Sequence, residues 1–352
     1  MYKRQGDVFV LNDPYNGGTH LPDVTVVTPI FGEGGEEADV LFYVGSRGHH
    51  ADIGGTSPAS MPPDSQVVED EGVLIDNFKL VHRGELREDA MRELLLSAKH
   101  PVRQVDTNLA DLRAQVAANE KGAAELRKMV AQFSLETVQA YMQHVQDNAE
   151  ESVRRAIDAL QGGAFEYALD NGAKIRVKIS IDPEQRAAAV DFTGTSAQLA
   201  GNFNAPSAIC RAAVMYVFRT LVDDNIPMNE GCLKAIDIVV PEGSFINPTY
   251  PAAVVAGNVE TSQAITDALY GALGVMGAAQ GTMNNFTFGN GRHQYHETDG
   301  PRGARGALQS GSAARQLRSW SVRQGLHCTP VSYTHLRAHE TRHDLVCRLL
   351  LE

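Results

Sequence analysis

Between Gly6 and Ser65 three β-patterned runs, Val8 to Leu11, Val24 to Phe31 and Val40 to Val44, are each followed by a Gly-rich or acidic loop. This alternation limits the fold more than any other feature. Short β-branched and aromatic runs form strands, and the Gly, Pro, Asn and Asp clusters between them form turns. Two of the loops bring histidine close to a carboxylate: His20-Leu21-Pro22-Asp23 and His49-His50-Ala51-Asp52. The first is a turn rather than a helix, because Gly17 and Gly18 precede it and Pro22 splits it. An imidazole and a carboxylate in a turn can converge on one divalent transition metal. The same spacing also suits an Asp23 that caps the turn beside an ordinary surface His20. The second His/Asp loop, followed by Gly54-Gly55 where backbone can approach closely, adds weight to the metal reading.

One hairpin, Val24 to Val44, separates the two loops, and antiparallel strands return both of its ends to one edge. His20, Asp23 and His49 are therefore expected to converge, with donor atoms within about 3–4 Å of each other. Successive residues of extended chain face opposite sides, so His49 is assigned toward His20 and His50 toward a neighbouring polar shell or the core. Asp52 is a candidate general base. Asp13 and His50 are candidates for orienting a ligand imidazole.

After the turn at Met61-Pro62-Pro63-Asp64-Ser65, Asp70 to Leu80 reads as a connecting segment. From Glu85 to Leu160 apolar residues recur at helical spacing, with an interruption at Pro101. Asn108, Asp111, Arg113, Gln115 and Asn119 read as a solvated face of one helix. Strands return at Phe165 to Leu169, Ile175 to Ile181 and Ala187 to Phe192, in the pattern of an antiparallel meander. A helix follows from about Ser207 to Leu221, then a strand at Ile236 to Val240. Ala252 to Gln263 runs from a small-residue strand through a polar turn into a helix expected over Ser262 to Met276. Asn258 or Thr261 is expected to cap that helix, and Glu260, beside its opening, is a second candidate base. Asn258, Asn284 and Asn285 are candidates for orienting a polar substrate. The fold class is α+β, with mixed or antiparallel sheets and packed amphipathic helices.

A formal charge of -12 argues against nucleic acid and anionic membrane surfaces as partners. No apolar run approaches the roughly 18 residues of a spanning helix, no leader opens the chain, and the protein reads as cytoplasmic. Four cysteines show no metal-binding spacing. The expected organisation is a start at 1–5 foreign to the rest, a β-rich metal-loop region at 6–82, a helical region at 83–161, an α+β region at 162–299 and a tail at 300–352. The tail carries eight Arg, no Lys and only three acids, and its periodicity is lost. VSYTHLRAHETRHDLVCRLLLE and the opening MYKRQ resemble translated adapter sequence, so both ends are expected to lie outside the packed core, and no metal is assigned to His335, His339 and His343.

The segments NDPYNGGTHLPDVTVVTPIF, SRGHHADIGGTSPASMPPDS, DFTGTSAQLAGNFNAP, NEGCL, PEGSFINP, AAVVAGNVETSQ and QGTMNNFTFG, in that order from Gly6 to about Thr298, resemble the hydantoinase B family. That family includes B subunits of N-methylhydantoinases, the C-terminal half of ATP-dependent 5-oxoprolinases and the alpha subunit of acetone carboxylases. The resemblance implies a B-type subunit that opens a cyclic amide such as a hydantoin or 5-oxoproline. It further implies a divalent metal (Mn, Zn or Fe) at His20, Asp23 and His49, and a hetero-oligomer with an A-type subunit or domain that handles ATP. The chain has no GxxxxGK[ST], GxGxxG, GxSxG or HExxH motif, consistent with nucleotide binding by the partner. Two alternatives follow from the same resemblance: a carboxylase acting on a ketone with bicarbonate, or a scaffold for the A-type subunit without chemistry.

Overall fold

The computed structural model describes residues 5–32, 39–58, 61–276, 285–290 and 293–298. The three opening runs share one antiparallel sheet, as expected. Strands β1 (Val8–Leu11), β2 (Asp23–Phe31), β3 (Val40–His49), β4 (Phe78–His82) and β5 (Glu85–Leu86) lie in the order β3-β2-β1-β4-β5. Two of these differ from the sequence reading. β3 continues through Ser46-Arg47-Gly48 to His49, so His49 closes a strand instead of sitting in a loop. The segment read as a connection to Leu80 contains β4, which pairs with β1 and seats Lys79 against the buried Asp7 at 2.7 Å.

Three helices follow: α1 (Glu88–Ser97), α2 (Val105–Phe133) and α3 (Leu135–Ile157). The break between α2 and α3 is at Ser134, which has φ 72 and whose hydroxyl accepts from the Thr137 amide, so one residue ends one helix and caps the next. Leu109 and Leu112 of α2 enter an apolar core with Val8, Val10, Val24 and Val26 of the sheet. The face read as solvated is in fact buried at Asn108, Gln115 and Asn119. These residues share a face with Leu112 at four- and three-residue spacing; Gln115 and Asn119 donate to strand carbonyls under the helix, and Asn108 to the Asp52 carbonyl just beyond β3.

The second sheet holds β6 (Gly163–Ala168), β7 (Lys174–Asp182), β8 (Ala187–Asp191) and β9 (Ile236–Val239). Its first three strands form the expected meander, and β9 pairs parallel to β8. Helices α4 (Ser207–Thr220) and α5 (Ser262–Leu273) share a core with this sheet, centred on Phe192, Val217, Phe218 and Leu269. α5 stops at Gly274 in the left-handed conformation, two residues before the expected end at Met276. Beyond it, β10 (Asn285–Asn290) and β11 (His293–Thr298) pair antiparallel as a separate unit. The expectations for Asn284 and for the tail lie outside the described residues. No helix among those described is long and apolar enough to cross a membrane.

Candidate metal centre

The turn that carries His20 is built from its neighbours inward. The Asp13 carboxylate accepts from the Tyr15 amide at 2.8 Å and from the Asn16 side chain at 2.7 Å, which shapes the loop after β1. Gly18 returns against that loop, and a Cβ there would lie 2.5 Å from the Asn12 carbonyl oxygen. The buried Asn12 amide donates to the carbonyls of Leu21 and Val73 (2.9 Å each) and accepts from the Ile75 amide (2.7 Å). Leu21 is fully buried, and that anchor contributes about 1.5–3 kcal/mol to holding the turn. The Pro22 carbonyl accepts from Val24 N–H at 3.0 Å and His50 N–H at 2.8 Å, so the His20 turn and the end of β3 are bonded directly.

Asp23 and His49 are register partners at the ends of β2 and β3. His20 Nδ1 lies 3.2 Å from Asp23 Oδ2, and His49 Nδ1 lies 2.9 Å from Asp23 Oδ1. The two imidazole centroids are 5.3 Å apart with a 32° tilt. His20 is 4% exposed, Asp23 19% and His49 59%, so the cluster has a buried wall and an open side. Burial pushes the Asp23 carboxyl upward, but hydrogen bonds from His20, His49 and Thr19 outweigh it and hold the group ionised well below the usual range. An ionised carboxylate only accepts, so both Nδ1 atoms present their hydrogens to it. The Thr19 hydroxyl donates to Asp23 Oδ2 at 2.8 Å and fixes the carboxylate from a third side.

One ligand atom from each of His20, Asp23 and His49 lies within 4.8 Å of the others, the group of three that meets this test among the described residues. The spread slightly exceeds the expected 3–4 Å, because the carboxylate sits between the two rings as their hydrogen-bond acceptor. Two imidazoles and one carboxylate fit a first-row divalent cation, which would replace the two Nδ1 hydrogens.

His50 turns away from the cluster and into the core, as alternation along an extended chain requires. The Asn108 side-chain amide donates to His50 Nδ1 at 2.9 Å and to the Asp52 carbonyl at 2.7 Å. Gln115 Oε1 lies 3.1 Å from His50 Nε2, while Gln115 Nε2 donates to the Val24 carbonyl at 2.9 Å. These amide orientations leave His50 one arrangement: a bare Nδ1 and a hydrogen on Nε2. Burial lowers its pKa in the same direction, toward the neutral ring. The Asp52 carboxylate is engaged by Arg103, at 2.5 Å to its guanidinium and 3.0 Å to its amide, and by the Gly54 amide at 3.2 Å. It braces the loop after β3 and is not among the three clustered ligands. Asp13 likewise shapes the Pro14–Asn16 turn, where its carboxylate is taken up by the Tyr15 amide and the Asn16 side chain.

Asn258 and Glu260 lie half-buried in a π-helical turn, Gly257–Thr261, that leads into α5. Thr261 stands at the N-cap position of α5, as expected, but its side chain makes no capping bond, and Asn258 lies three residues earlier. The Thr261 hydroxyl donates to the Phe203 carbonyl at 2.6 Å, and the wide turn itself carries the chain into α5. Asn285 opens β10 in the separate hairpin unit. Sequence reasoning passed over Thr19, Asn12, Asn108 and Gln115. The signal for the last two was a polar line along the same helical face as Leu112.

The sequence matches the family model described as "Hydantoinase B/oxoprolinase" over residues 2–348. It is 41% identical to 5-oxoprolinase 1 of Arabidopsis thaliana over 91% of this chain and 27% of that protein. Similar solved structures are an ATP-dependent caprolactamase from Pseudomonas jessenii and an acetone carboxylase in its nucleotide-free form. The first gives a TM-score of 0.67 at 24% identity, covering 84% of this chain and 52% of that one. The second gives 0.62 at 20%, covering 77% of this chain and 37% of that one. The chain spans about a quarter of the length of the curated 5-oxoprolinases it matches. With its motifs in order and its fold shared with these structures, this chain belongs to the hydantoinase B/oxoprolinase family.

Proposed function

We propose that the chain is the B-type part of an ATP-dependent hydrolase that opens a cyclic amide of the hydantoin or 5-oxoproline kind. The observation that carries this reading is the convergence of His20, Asp23 and His49 at the ends of β2 and β3. Resonance makes an amide C–N bond resistant to attack, and phosphorylation of the amide oxygen by an A-type partner would remove that protection. His20, Asp23 and His49 would hold a divalent cation, which would lower the pKa of bound water there. The buried side of His20 and the Thr19 bond keep Asp23 oriented, while the exposed side of His49 leaves an approach for substrate. Glu260, half-buried in the turn before α5, is assigned as general base. Asp52, bound to Arg103, is assigned to holding the loop that follows His49.

The test is a reconstituted complex of the full chain with an A-type subunit, assayed for ATP-dependent ring opening of 5-oxoproline and hydantoin. Ring opening that needs a stoichiometric divalent metal, ignores bicarbonate and is lost in His20→Ala supports the proposal. Bicarbonate-dependent carboxylation of a ketone replaces it with the carboxylase reading. Full activity in His20→Ala without bound metal replaces it with a scaffold.

A further inference from the structure

We infer that Gln115 of α2 is a positioning residue for the candidate metal centre, an inference that rests on the metal reading above. Its side chain enters the sheet where β2 and β3 deliver their ligands. Gln115 Nε2 donates to the Val24 carbonyl at 2.9 Å and the Ser46 carbonyl at 3.3 Å, so one amide ties together the strands that end at Asp23 and His49. Its Oε1 takes up the Nε2 hydrogen of His50 at 3.1 Å, fixing the residue that follows His49. From the opposite direction, the Ser46 hydroxyl donates to the Gln115 carbonyl at 3.2 Å. Gly48, register partner of Val24, leaves room for this: a Cβ there would stand 3.2 Å from Gln115 Cδ. The three residues these bonds reach, Val24, Ser46 and His50, lie within three residues of Asp23 or His49, one on β2 and the others on β3 or directly after it.

Asn119, one turn further along α2, makes the corresponding contacts further from the cluster. Its amide donates to the Val26 carbonyl at 3.0 Å and the Thr28 hydroxyl at 3.1 Å, both on β2. Gln115 bridges two ligand-bearing strands, whereas Asn119 holds one strand away from its end. Removing either amide takes a hydrogen bond from buried strand carbonyls and should cost stability. Only loss of Gln115 lets Asp23 and His49 drift apart.

The experiment is a Co²⁺ titration of the full chain, followed by the visible absorption of the bound ion, with thermal unfolding measured in parallel. Wild type is expected to bind one ion per chain, and His20→Ala to lose it. Gln115→Met is expected to bind at least about tenfold more weakly, with an altered spectrum, as for residues that orient metal ligands elsewhere. Asn119→Leu is expected to fall in Tm while keeping affinity within about twofold. Should Gln115→Met not fold, Gly48→Ala displaces the same amide without removing it, and a smaller loss of affinity is expected. Wild-type affinity in Gln115→Met, or in Gly48→Ala if that variant replaces it, overturns the inference alone. So do affinity losses that track Tm equally at positions 115 and 119. A wild type that takes up no Co²⁺, or a His20→Ala that binds it equally well, overturns the metal reading and the inference with it.

Discussion

At the Asp23 end of the first sheet, two imidazoles and a threonine hydroxyl meet one carboxylate at 2.8–3.2 Å, and one ring stands half in solvent. Around the turn before α5 the polar residues do the reverse. The Asn204 side chain accepts from the Leu199 amide and donates to the carbonyls of Leu199, Gly201 and Ala253, leaving nothing for a ligand. Asn202 donates to the carbonyls of Pro62 and Pro63, and Thr261 to that of Phe203. Both regions carry motifs of the family, yet in the second most polar groups are consumed by backbone. A motif rich in Asn and Thr is as often the frame of a site as its chemistry, and only geometry separates the two.

The sharpest break in this comparison comes from the frame. Gly257 packs so closely on residue 204 that a Cβ would lie 1.9 Å from the Asn204 carbonyl oxygen. Backbone meets backbone there, so Gly257→Ala is expected to cost at least about 4 kcal/mol in chemical denaturation, or to prevent folding. Next is Glu71, which ties the loop before β4 to the segment leading into the turn before α5: its Oε1 accepts from Ser65, Val254 N–H and Val255 N–H, each at 2.9 Å. Its Oε2 is buried with no hydrogen-bond partner among the described residues. Burial raises its pKa from 4.5 to about 7, against the opposing effect of those hydrogen bonds. Because the folded value is the higher one, its contribution to stability is complete below pH 4.5 and is lost as pH rises through 7. Stability curves of wild type and Glu71→Gln should therefore diverge across that window, by on the order of 3 kcal/mol. Asp23 and His50, both shifted downward, act in the opposite sense, losing their contribution as pH falls, and cancel in the difference between the two curves.

Smaller effects sharpen the other side. Gly48→Ala meets only the end of the Gln115 side chain, at 3.2–3.3 Å, and is expected to cost about 1 kcal/mol or less. His49→Ala removes an exposed side chain at a strand end, so stability should stay within about 0.5 kcal/mol while metal binding is lost. Equal stability losses at Gly257, Gly48 and His49 would erase the distinction between frame and site.

The convergence of His20, Asp23 and His49 was legible in outline because antiparallel strands return their ends to one edge and alternation turns His50 away from His49. The register was not: Asp23 stands opposite His49 only because β3 runs past Val44, which itself pairs with Thr28. The short strand Phe78–His82 was not legible, since a five-residue run with Lys79 at its centre becomes a strand only when β1 and the buried Asp7 receive it. The buried amides of α2 were misread for a related reason: Gln and Asn on a helix look solvated until a sheet presents carbonyls beneath them. The brace on Asp52 was hidden because Arg103 lies far along the chain, beyond the Pro101 break.

Anomalous diffraction from crystals of the full chain equilibrated with Mn²⁺ or Zn²⁺ tests the central claim most directly. The account requires one strong peak about 2.0–2.2 Å from a donor atom of each of His20, Asp23 and His49. No peak among these three side chains, with the protein folded and the ion in excess, or a peak held by other residues, would contradict it.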